Sequence, residues 1–408
     1  MKRHKALKRK AFLLALVAAL LANGPVSGQV VARFFYDEKG NVTRQERDSN
    51  GDGKIDRWIY YDSEGKIERV EQDEDFDGKP DIWLYYQNGR LQREEVSSKR
   101  NGQLDLWYYF DSQGQLVRKE QDTNGDRKPD FWAFYENNQP VRNEEDRNFD
   151  GKVDRVSYVQ GGKISRMEED TNGAGKMDSF SYFQDGQLVR KEIDRKQTGR
   201  IDLWGYYQDG RLARQEEDLN GDGKADRVLY FQGEELVRRE EDSRGKGRID
   251  LTEFFSQGKL AKRIMDSKGD GKPDTLDLFK DGKIVREERD TDGDGLFDVR
   301  IFYNENGQEL RQEADTNRDR RVDVWVTYKD GKRFLQEEDL NFNGKIDARY
   351  FFKDDQVVKQ EQVAEAEPDV PALPFTPVQE ELLRMTTEAE PAGKKISTTA
   401  KGQEAVKQ

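Results

Sequence analysis

One nine-residue pattern, D-x-N-x-D-G-x-x-D, recurs along the chain at intervals of 24 or 25 residues. Its first positions fall at 48, 73, 97, 122, 146, 170, 194, 218, 242, 266, 290, 315 and 339. A fixed period of this length is typical of chains built from stacked copies of one small structural unit. A similar segment without a preceding loop begins at Ala32, so we predict fourteen units.

The residues between the loops predict β-hairpins. In "DIWLYYQNGRLQREE", which begins at Asp81, an aromatic and β-branched run is followed by a turn and then by Leu, Arg and Glu at alternate positions. Alternation of this kind indicates strands. Two-residue turns are predicted at five pairs that tolerate positive φ. These pairs are Asn88-Gly89, Asp185-Gly186, Asp209-Gly210, Asp281-Gly282 and Asp330-Gly331.

The composition and the repeat together predict an all-β fold. With 38% charged and 33% hydrophobic residues, the chain is a poor candidate for a thick core. We therefore expect an elongated, twisted antiparallel array of β-hairpins over residues 29–362. The alternative is a seven-bladed β-propeller, because 28 strands also make seven blades of four. The loops show no alternation at twice the repeat length, which favours the array.

A two-residue turn at Asn88-Gly89 also predicts the strand register of that hairpin. The expected pairs are Gln87 with Arg90, Tyr86 with Leu91, Leu84 with Arg93 and Ile82 with Glu95. Trp83 and Tyr85 would then lie on the other face, opposite Glu94 and Gln92. Each face would mix aromatic with charged side chains.

Both chain ends differ in composition from the repeats. Six cationic residues precede the apolar run 11–22, which predicts a secretory signal over residues 1–28 and therefore an exported protein, periplasmic, cell-surface or extracellular. Twelve apolar residues are too few to span a bilayer, so an uncleaved anchor is disfavoured, and no membrane span is expected after cleavage. Residues 363–408, rich in Pro, Glu, Ala and Thr, predict a disordered tail, in which 378–385 could form a short helix on a partner.

Charge and residue types exclude several functions. Loss of the six cationic residues of the signal changes the formal charge from −13 to −19, which argues against nucleic acid as a ligand. The chain has no cysteine, and its one histidine, His4, lies in the predicted signal. Nucleophilic and acid-base catalysis usually rest on these two residue types, so we expect a protein that is not an enzyme.

The loops have the oxygen donors of a calcium site. Ca²⁺ takes six to eight oxygen ligands, which side chains at positions 1, 3, 5 and 9, a backbone carbonyl at 7 and water can supply around a bend at 6. Six loops meet this pattern, and two more, at Asp122 and Asp315, place Arg127 and Arg320 where glycine would favour the bend. The predicted ligand sets are Asp48, Asn50, Asp52 and Asp56; Asp73, Asp75, Asp77 and Asp81; Asp122, Asn124, Asp126 and Asp130; Asp146, Asn148, Asp150 and Asp154; Asp218, Asn220, Asp222 and Asp226; Asp290, Asp292, Asp294 and Asp298; Asp315, Asn317, Asp319 and Asp323; and Asp339, Asn341, Asn343 and Asp347.

Two family resemblances accompany these motifs. The loops resemble the calcium-binding hairpin loops of integrin α-subunit FG-GAP and VCBS repeats, in which the pattern leads directly into a strand; that resemblance implies that the ninth-position residues, such as Asp56 and Asp226, are the closing ligands. EF-hand and dockerin loops fit less well, since position 12 is Ile59 or Leu229 here rather than a carboxylate. The segments "YYQNGRLQREE" and "YFQDGQLVRKE" look like MORN-type hairpins, which implies an elongated antiparallel sheet with acidic loops inserted.

The incomplete loops carry cations where ligands are missing. Lys99, Lys196, Arg244, Lys246 and Lys268 occupy position 3 or 5 of such loops. We expect an ammonium or guanidinium group to replace the charge of the ion there. The alternative is that these loops are ordinary polar turns rich in Asp, Asn and Gly.

All six tryptophans fall two residues after the last aspartate of a loop and should form a stripe. Packing against neighbouring rings and arginines is the first interpretation. The second is a ligand platform for sugar rings or a partner at Trp58, Trp83, Trp107 and Trp132. The expected function is therefore a non-enzymatic, calcium-binding scaffold that contacts proteins or adheres to surfaces; the alternative is a protein that binds cell-surface glycans through the tryptophans.

Overall fold

The computed structural model describes residues 31–363, which are all-β and contain no helix. The predicted signal segment and the predicted tail beyond Val363, including 378–385, lie outside the described residues. The described residues divide into two compact units, with the boundary between Gly162 and Lys163.

The described part of the first unit contains eleven strands. They are β1 (Ala32–Tyr36), β2 (Val42–Arg47), β3 (Arg57–Tyr61), β4 (Ile67–Gln72), β5 (Ile82–Gln87), β6 (Arg90–Val96), β7 (Leu106–Phe110), β8 (Leu116–Gln121), β9 (Phe131–Glu136), β10 (Gln139–Glu145) and β11 (Arg155–Gln160).

The described part of the second unit contains seventeen strands. They are β12 (Lys163–Glu169), β13 (Ser179–Gln184), β14 (Gln187–Ile193), β15 (Leu203–Gln208), β16 (Arg211–Glu217), β17 (Arg227–Gln232), β18 (Glu235–Glu241), β19 (Leu251–Ser256), β20 (Lys259–Met265), β21 (Thr275–Lys280), β22 (Lys283–Arg289), β23 (Val299–Tyr303), β24 (Glu309–Ala314), β25 (Val324–Lys329), β26 (Lys332–Glu338), β27 (Ala348–Lys353) and β28 (Gln356–Gln362).

Within each unit, every strand pairs antiparallel with its neighbours in the chain, as β4 does with β3 and β5 in the first unit and β17 does with β16 and β18 in the second. Among the described residues, the first and last strands of a unit do not pair with each other, so each sheet is open. The predicted hairpin array is confirmed, and the propeller alternative is wrong. The 28 strands also match the number expected for fourteen two-stranded repeats.

The predicted two-residue turns are present. Asn88 and Gly89 have φ of 51° and 74°, and the four other predicted pairs likewise have positive φ at both residues. Positive φ at both central residues is the requirement of the type I′ turn, whose twist matches that of the strands it joins.

The predicted register is right next to the turn and wrong beyond it. Tyr86 pairs with Leu91 as expected, but Tyr85 pairs with Arg93 instead of Gln92. A β-bulge at this point gives β6 one residue more than β5, which moves every later pair by one. Trp83 consequently lies opposite Glu95 rather than Glu94.

This bulge builds a repeated three-residue contact on one face of each sheet. The hydroxyl of Tyr85 donates to Oε2 of Glu95 at 3.0 Å, and the Arg93 guanidinium lies 4.3 Å from the centre of the Tyr85 ring and 3.2 Å from Glu95. We call such a set a Tyr–Arg–Glu group. The other groups are Tyr60–Arg69–Glu71 and Tyr109–Arg118–Glu120 in the first unit, and Tyr182–Arg190–Glu192, Tyr206–Arg214–Glu216 and Tyr230–Arg238–Glu240 in the second.

The second unit also has a small apolar core. Ile264, Leu276 and Trp325 pack with three residues that occupy position 8 of loops, Phe297, Val322 and Ile346. Position 8 immediately precedes the closing aspartate, so each of these loops inserts an apolar side chain against its sheet. The core is thus divided into small contributions from successive repeats.

We expect Leu276→Ala to lower the free energy of unfolding by about 2–5 kcal/mol, because Leu276 is almost completely buried in this cluster and truncation leaves a cavity. Leu310→Ala in β24 is the control, since Leu310 is exposed and should change stability by less than about 0.5 kcal/mol. Chemical denaturation of both variants measures the difference. Equal losses would contradict a core at this place.

Candidate metal centre

Each candidate loop joins the second strand of one hairpin to the first strand of the next. The loop that begins at Asp218 links β16 to β17, and its ends are fixed by the sheet. The Asp218 amide donates to the Asp202 carbonyl at 3.0 Å, and the Asp226 amide donates to the Glu217 carbonyl at 2.8 Å. The first and ninth residues of the loop therefore have set positions.

Two buried carboxylates shape this loop from inside. Asp218 accepts the backbone N–H groups of Gly221 at 2.5 Å and Gly223 at 2.7 Å, one on each oxygen. Asp226 accepts the N–H groups of Leu219 at 2.7 Å and Asn220 at 2.9 Å. Buried carboxylates are tolerated when they are hydrogen-bonded in this way, so positions 1 and 9 act as the anchors of the loop.

All eight complete loops share one bond to their first aspartate. The backbone N–H of position 6 donates to it at 2.6–2.8 Å in every case. The ninth aspartate accepts the N–H of position 2 or 3, or both. The first and ninth aspartates are buried in these loops, except that Asp347 is half-buried.

Positions 3 and 5 form local turns near the surface. In the Asp218 loop, Oδ1 of Asn220 accepts the N–H of Asp222, and Oδ1 of Asp222 accepts the N–H of Lys224, both at 2.8 Å. The same two bonds recur in the loops that begin at Asp48, Asp122, Asp146 and Asp315. These side chains therefore combine turn formation with exposed oxygens.

Three carboxylates converge in two of the predicted sites. Carboxylate oxygens of Asp73, Asp75 and Asp81 lie within 4.8 Å of one another, and those of Asp290, Asp292 and Asp294 do the same. Both loops have Asp rather than Asn at position 3. In the loops that begin at Asp146, Asp218 and Asp339, Nδ2 of the position-3 asparagine instead donates to the ninth aspartate at 2.8–3.1 Å.

The donor set of these two loops fits a hard divalent cation. Each carboxylate oxygen that accepts one N–H keeps a second lone pair, so the bonds that shape the loop leave it able to bind a cation. In the Asp290 loop an ion would displace the Arg318 guanidinium, whose Nε lies 2.6 Å from Oδ2 of Asp292. Carboxylate and carbonyl oxygens are the preferred ligands of Ca²⁺ and Mg²⁺. The predicted ligand residues would hold the ion, and its charge would offset the repulsion among the carboxylates.

In the incomplete loops too, aspartates at positions 1 and 9 anchor the loop backbone, a role that we did not predict from the sequence. Asp266 and Asp274 bind loop amides just as Asp218 and Asp226 do, although Lys268 occupies position 3 of their loop. The further anchors of this kind in incomplete loops are Asp105, Asp170, Asp178, Asp194, Asp202, Asp242 and Asp250. Their sequence signal is an aspartate at position 9 of every loop, whatever stands at positions 3 and 5.

The charge-replacement hypothesis is wrong for Lys196 and Lys268. The Lys196 ammonium donates to the carbonyls of Asp218 and Leu219, both at 2.9 Å, in the next loop. The Lys268 ammonium likewise reaches Asp290, at 2.8 Å, in the loop that follows its own. Because a lysine stem is long, these cations link neighbouring loops instead of filling their own. Arg244 does both: its Nε lies 3.7 Å from the closing Asp250 of its own loop, and its Nη2 donates to the Ser267 carbonyl of the next loop.

The two arginines at position 6 do not prevent the bend. Arg127 and Arg320 have φ of 74° and 70° and keep the N–H bond to the first aspartate. Side chains other than glycine rarely adopt this conformation, so the bend is strained at both positions.

We expect Arg320→Gly to stabilise the loop by about 0.5–1 kcal/mol, because glycine adopts positive φ without steric cost. Arg321→Gly is the matched control: Arg321 does not have positive φ, so the added backbone freedom should lower stability slightly. Thermal unfolding in excess chelator compares the two without a contribution from ions. A destabilising effect of Arg320→Gly would show that the bend is not strained.

Local hydrogen bonds also shift the acidity of the anchors. Burial alone would raise the pKa of Asp170, but N–H bonds from Gly175, Ala174, Gly173 and Asn172 outweigh it and hold the pKa below the usual 3.8. At Asp315 the balance is reversed: burial, helped by the charges of Asp323 and Asp319, raises the pKa despite two N–H bonds.

Asp170→Asn should raise the hydrogen-exchange rates of the Gly173 and Gly175 amides about 30-fold at neutral pH, because charge-assisted bonds of about 2 kcal/mol are lost. A lowered pKa contributes stability above the unfolded value of 3.8 and loses it as pH falls through the folded value. The difference in exchange rate between the variant and the unchanged chain should therefore shrink below about pH 3.8. Asp185→Asn in an exposed turn is the control, and a pH-independent difference would contradict this account.

The four tryptophans of the predicted platform are half-buried in the first unit. Trp83 lies opposite Glu95 and Glu71 on the face that carries the Tyr–Arg–Glu groups, and Trp58, Trp107 and Trp132 have equivalent partners. On the same face, Tyr60, Tyr85 and Tyr109 pack against arginines, whereas packing of the tryptophans against arginine stays a prediction. Glycan binding by the tryptophans stays a prediction, which quenching of their fluorescence by added polysaccharides would test.

Comparisons with known proteins name no family for this chain. No protein-family model matches it, and no curated protein matches it. Among solved structures, it is similar to a complex described as TcdB2-TccC3-Cdc42, with 10% identity, a TM-score of 0.16 and coverage of 79% of this chain and 23% of the other. A Photorhabdus luminescens Tc holotoxin pore gives 13% identity, a TM-score of 0.19 and coverage of 79% and 22%. The chain spans less than a quarter of both structures, and similarity at this level carries no argument about function.

Among the described residues, no helix has the length and apolar composition needed to cross a membrane.

Proposed function

We propose that this chain is an exported, non-enzymatic repeat scaffold whose loops bind Ca²⁺ and whose sheets present surfaces for contacts with other proteins. The observation that carries the proposal is the convergence of three carboxylates within 4.8 Å in the Asp73 and Asp290 loops. Backbone hydrogen bonds already shape both loops, so an ion can bind with little further loss of backbone conformational entropy.

Calcium suits these loops better than a transition metal. The mature chain expected after signal cleavage has no histidine or cysteine, so zinc and copper would lack their preferred ligands. Several oxygens on a short loop with glycine at bends suit the flexible coordination of Ca²⁺, whereas Mg²⁺ demands a stricter octahedron. Sites of modest affinity would be filled at the millimolar calcium concentrations found outside cells, in agreement with the predicted export.

The repeat architecture favours a scaffold over a catalyst. Each repeat presents the same types of side chain as its neighbours, such as the recurring Tyr–Arg–Glu groups, so the acidic residues do not single out one catalytic pair. A periodic surface of this kind offers many equivalent contacts to a partner protein.

Isothermal titration of the chain from Gln29 with Ca²⁺ tests the proposal. We expect binding and a higher melting temperature in millimolar Ca²⁺, because an ion that binds only the folded state stabilises it, by about 2.7 kcal/mol at one hundred times Kd. Asp75→Asn and Asp292→Asn should each remove or weaken one of the tightest sites, since both residues belong to the convergent groups.

Asp209→Asn, in a hairpin turn away from the loops, is the control and should bind as the unchanged chain does. Absence of bound calcium in equilibrium dialysis at millimolar concentration, together with equal melting curves in calcium and chelator, would refute the proposal.

A further inference from the structure

Both units contain a terminal strand that pairs on a single side among the described residues. Among the described residues, β1 of the first unit pairs only with β2, and β28 of the second unit pairs only with β27. The other side of each strand presents backbone N–H and C=O groups that a further strand can pair with.

Side chains on these strands are exposed where their counterparts in inner strands are covered. Phe34 and Tyr36 of β1 are 48% and 60% exposed, whereas Ile59 and Tyr61, at the equivalent positions of β3, are half-buried. In the second unit, Val357 and Val358 of β28 are 53% and 61% exposed, whereas the equivalent residues of β18 are half-buried. A neighbouring strand is therefore what covers these positions.

The outward backbone groups of both strands can be assigned. The Asp48 amide donates to the Val31 carbonyl, so Val31 faces β2 and the alternation of an antiparallel ladder turns the backbone of Ala32, Phe34 and Tyr36 outward. The Val363 amide donates to the Asp347 carbonyl in the same way, which turns Gln362 and Gln360 outward on β28.

Charges on the two strands match a pattern that recurs inside the second unit. Arg300 is buried between two glutamates of the neighbouring strands, 3.2 Å from Glu288 and 3.1 Å from Glu313. Arg33 occupies the equivalent position of β1 and lies opposite Glu46 on one side. Glu361 of β28 occupies the position that Glu288 has beside Arg300, so it could supply the second glutamate.

Neither strand carries a feature that blocks pairing. Residues 32–36 contain neither proline nor lysine, the residues that commonly protect sheet edges. Lys359 on β28 is no obstacle, because Lys262 at the equivalent position of β20 lies opposite Leu278 inside a continuous ladder.

We propose that β28 of one chain pairs antiparallel with β1 of a second copy of this chain, in the register that β26 and β27 use. The proposed pairs are Gln362 with Ala32, Glu361 with Arg33, Gln360 with Phe34 and Lys359 with Phe35. The two surfaces of this contact are different, so each bound copy retains a free β1 or β28 edge and can bind another. The proposal is independent of calcium binding, because it uses strands and not loops.

Proline substitutions test the contact without removing a bond of the chain's own ladder. Phe34→Pro and Gln360→Pro each delete one outward N–H group, and proline is tolerated on edge strands when its nitrogen faces solvent. Phe34→Ala is the matched control, since it removes the side chain but keeps the N–H group. Sedimentation velocity of the chain from Gln29, in chelator and over a range of concentrations, measures self-association, and circular dichroism checks that each variant is folded.

We expect the unchanged chain to form larger species as concentration rises, with Phe34→Ala retaining this behaviour in weakened form. Each proline variant alone should be monomeric. An equal mixture of the two should form a dimer and nothing larger, because Gln360→Pro keeps an intact β1 edge and Phe34→Pro keeps an intact β28 edge.

Charge reversal is a second test if a proline variant fails to fold. Arg33→Glu and Glu361→Arg should each lose self-association, because position 33 and position 361 then carry like charges. A mixture of the two should regain it as alternating copies, because the charges are opposite at both junctions between unlike chains. A monomeric unchanged chain at all concentrations would overturn the proposal. So would a Gln360→Pro chain that dimerises alone, which would indicate pairing of β1 with β1, or mixtures that stay monomeric.

Discussion

Hydrogen bonds between buried aspartates and loop amides are the interaction on which the rest of the structure depends. Asp218 and Asp226 together accept four backbone N–H groups of one nine-residue loop, and the anchors of the other loops bind theirs similarly. The backbone amides of each loop, which have no strand partner, are thus hydrogen-bonded, and these bonds offset the free-energy cost of burying the carboxylates. Each of these loops consequently joins its two strands in a set conformation.

This arrangement compensates for a shortage of apolar residues. A hydrophobic content of 33% does not fill a thick core, and the stability of the chain is divided among local contacts that recur in each repeat. Tyr–Arg–Glu groups cover one face, and apolar residues at position 8, such as Phe297, fold against the sheet. In repeat structures of this kind each repeat is stabilised by its neighbours, so an unpaired strand at an edge is where a further strand can bind.

Much of the fold could be predicted because turn residues and loop spacing are local signals. Asn88-Gly89 specified its turn, and the period specified the number of strands. The register failed because a bulge is a difference in length between two strands; its signal was present, since seven residues follow the turn and only six precede it. The positions of the Lys196 and Lys268 ammonium groups could not be predicted, because the reach of a long side chain depends on the distance to the next loop. Asp75 and Asp292 stood out from other ligands only once the carboxylates were placed in space.

Hydrogen exchange at the position-6 amides, in excess chelator and in millimolar Ca²⁺, tests the central claim most directly. If aspartate anchors hold every loop, the amides of Gly223 in a complete loop and Gly271 in an incomplete loop are both protected in chelator. Calcium should then increase protection at Gly223 and leave Gly271 unchanged. Free exchange of Gly223 in chelator, with protection restored only by calcium, would contradict the account by showing that the ion, and not the backbone hydrogen bonds, shapes the loop.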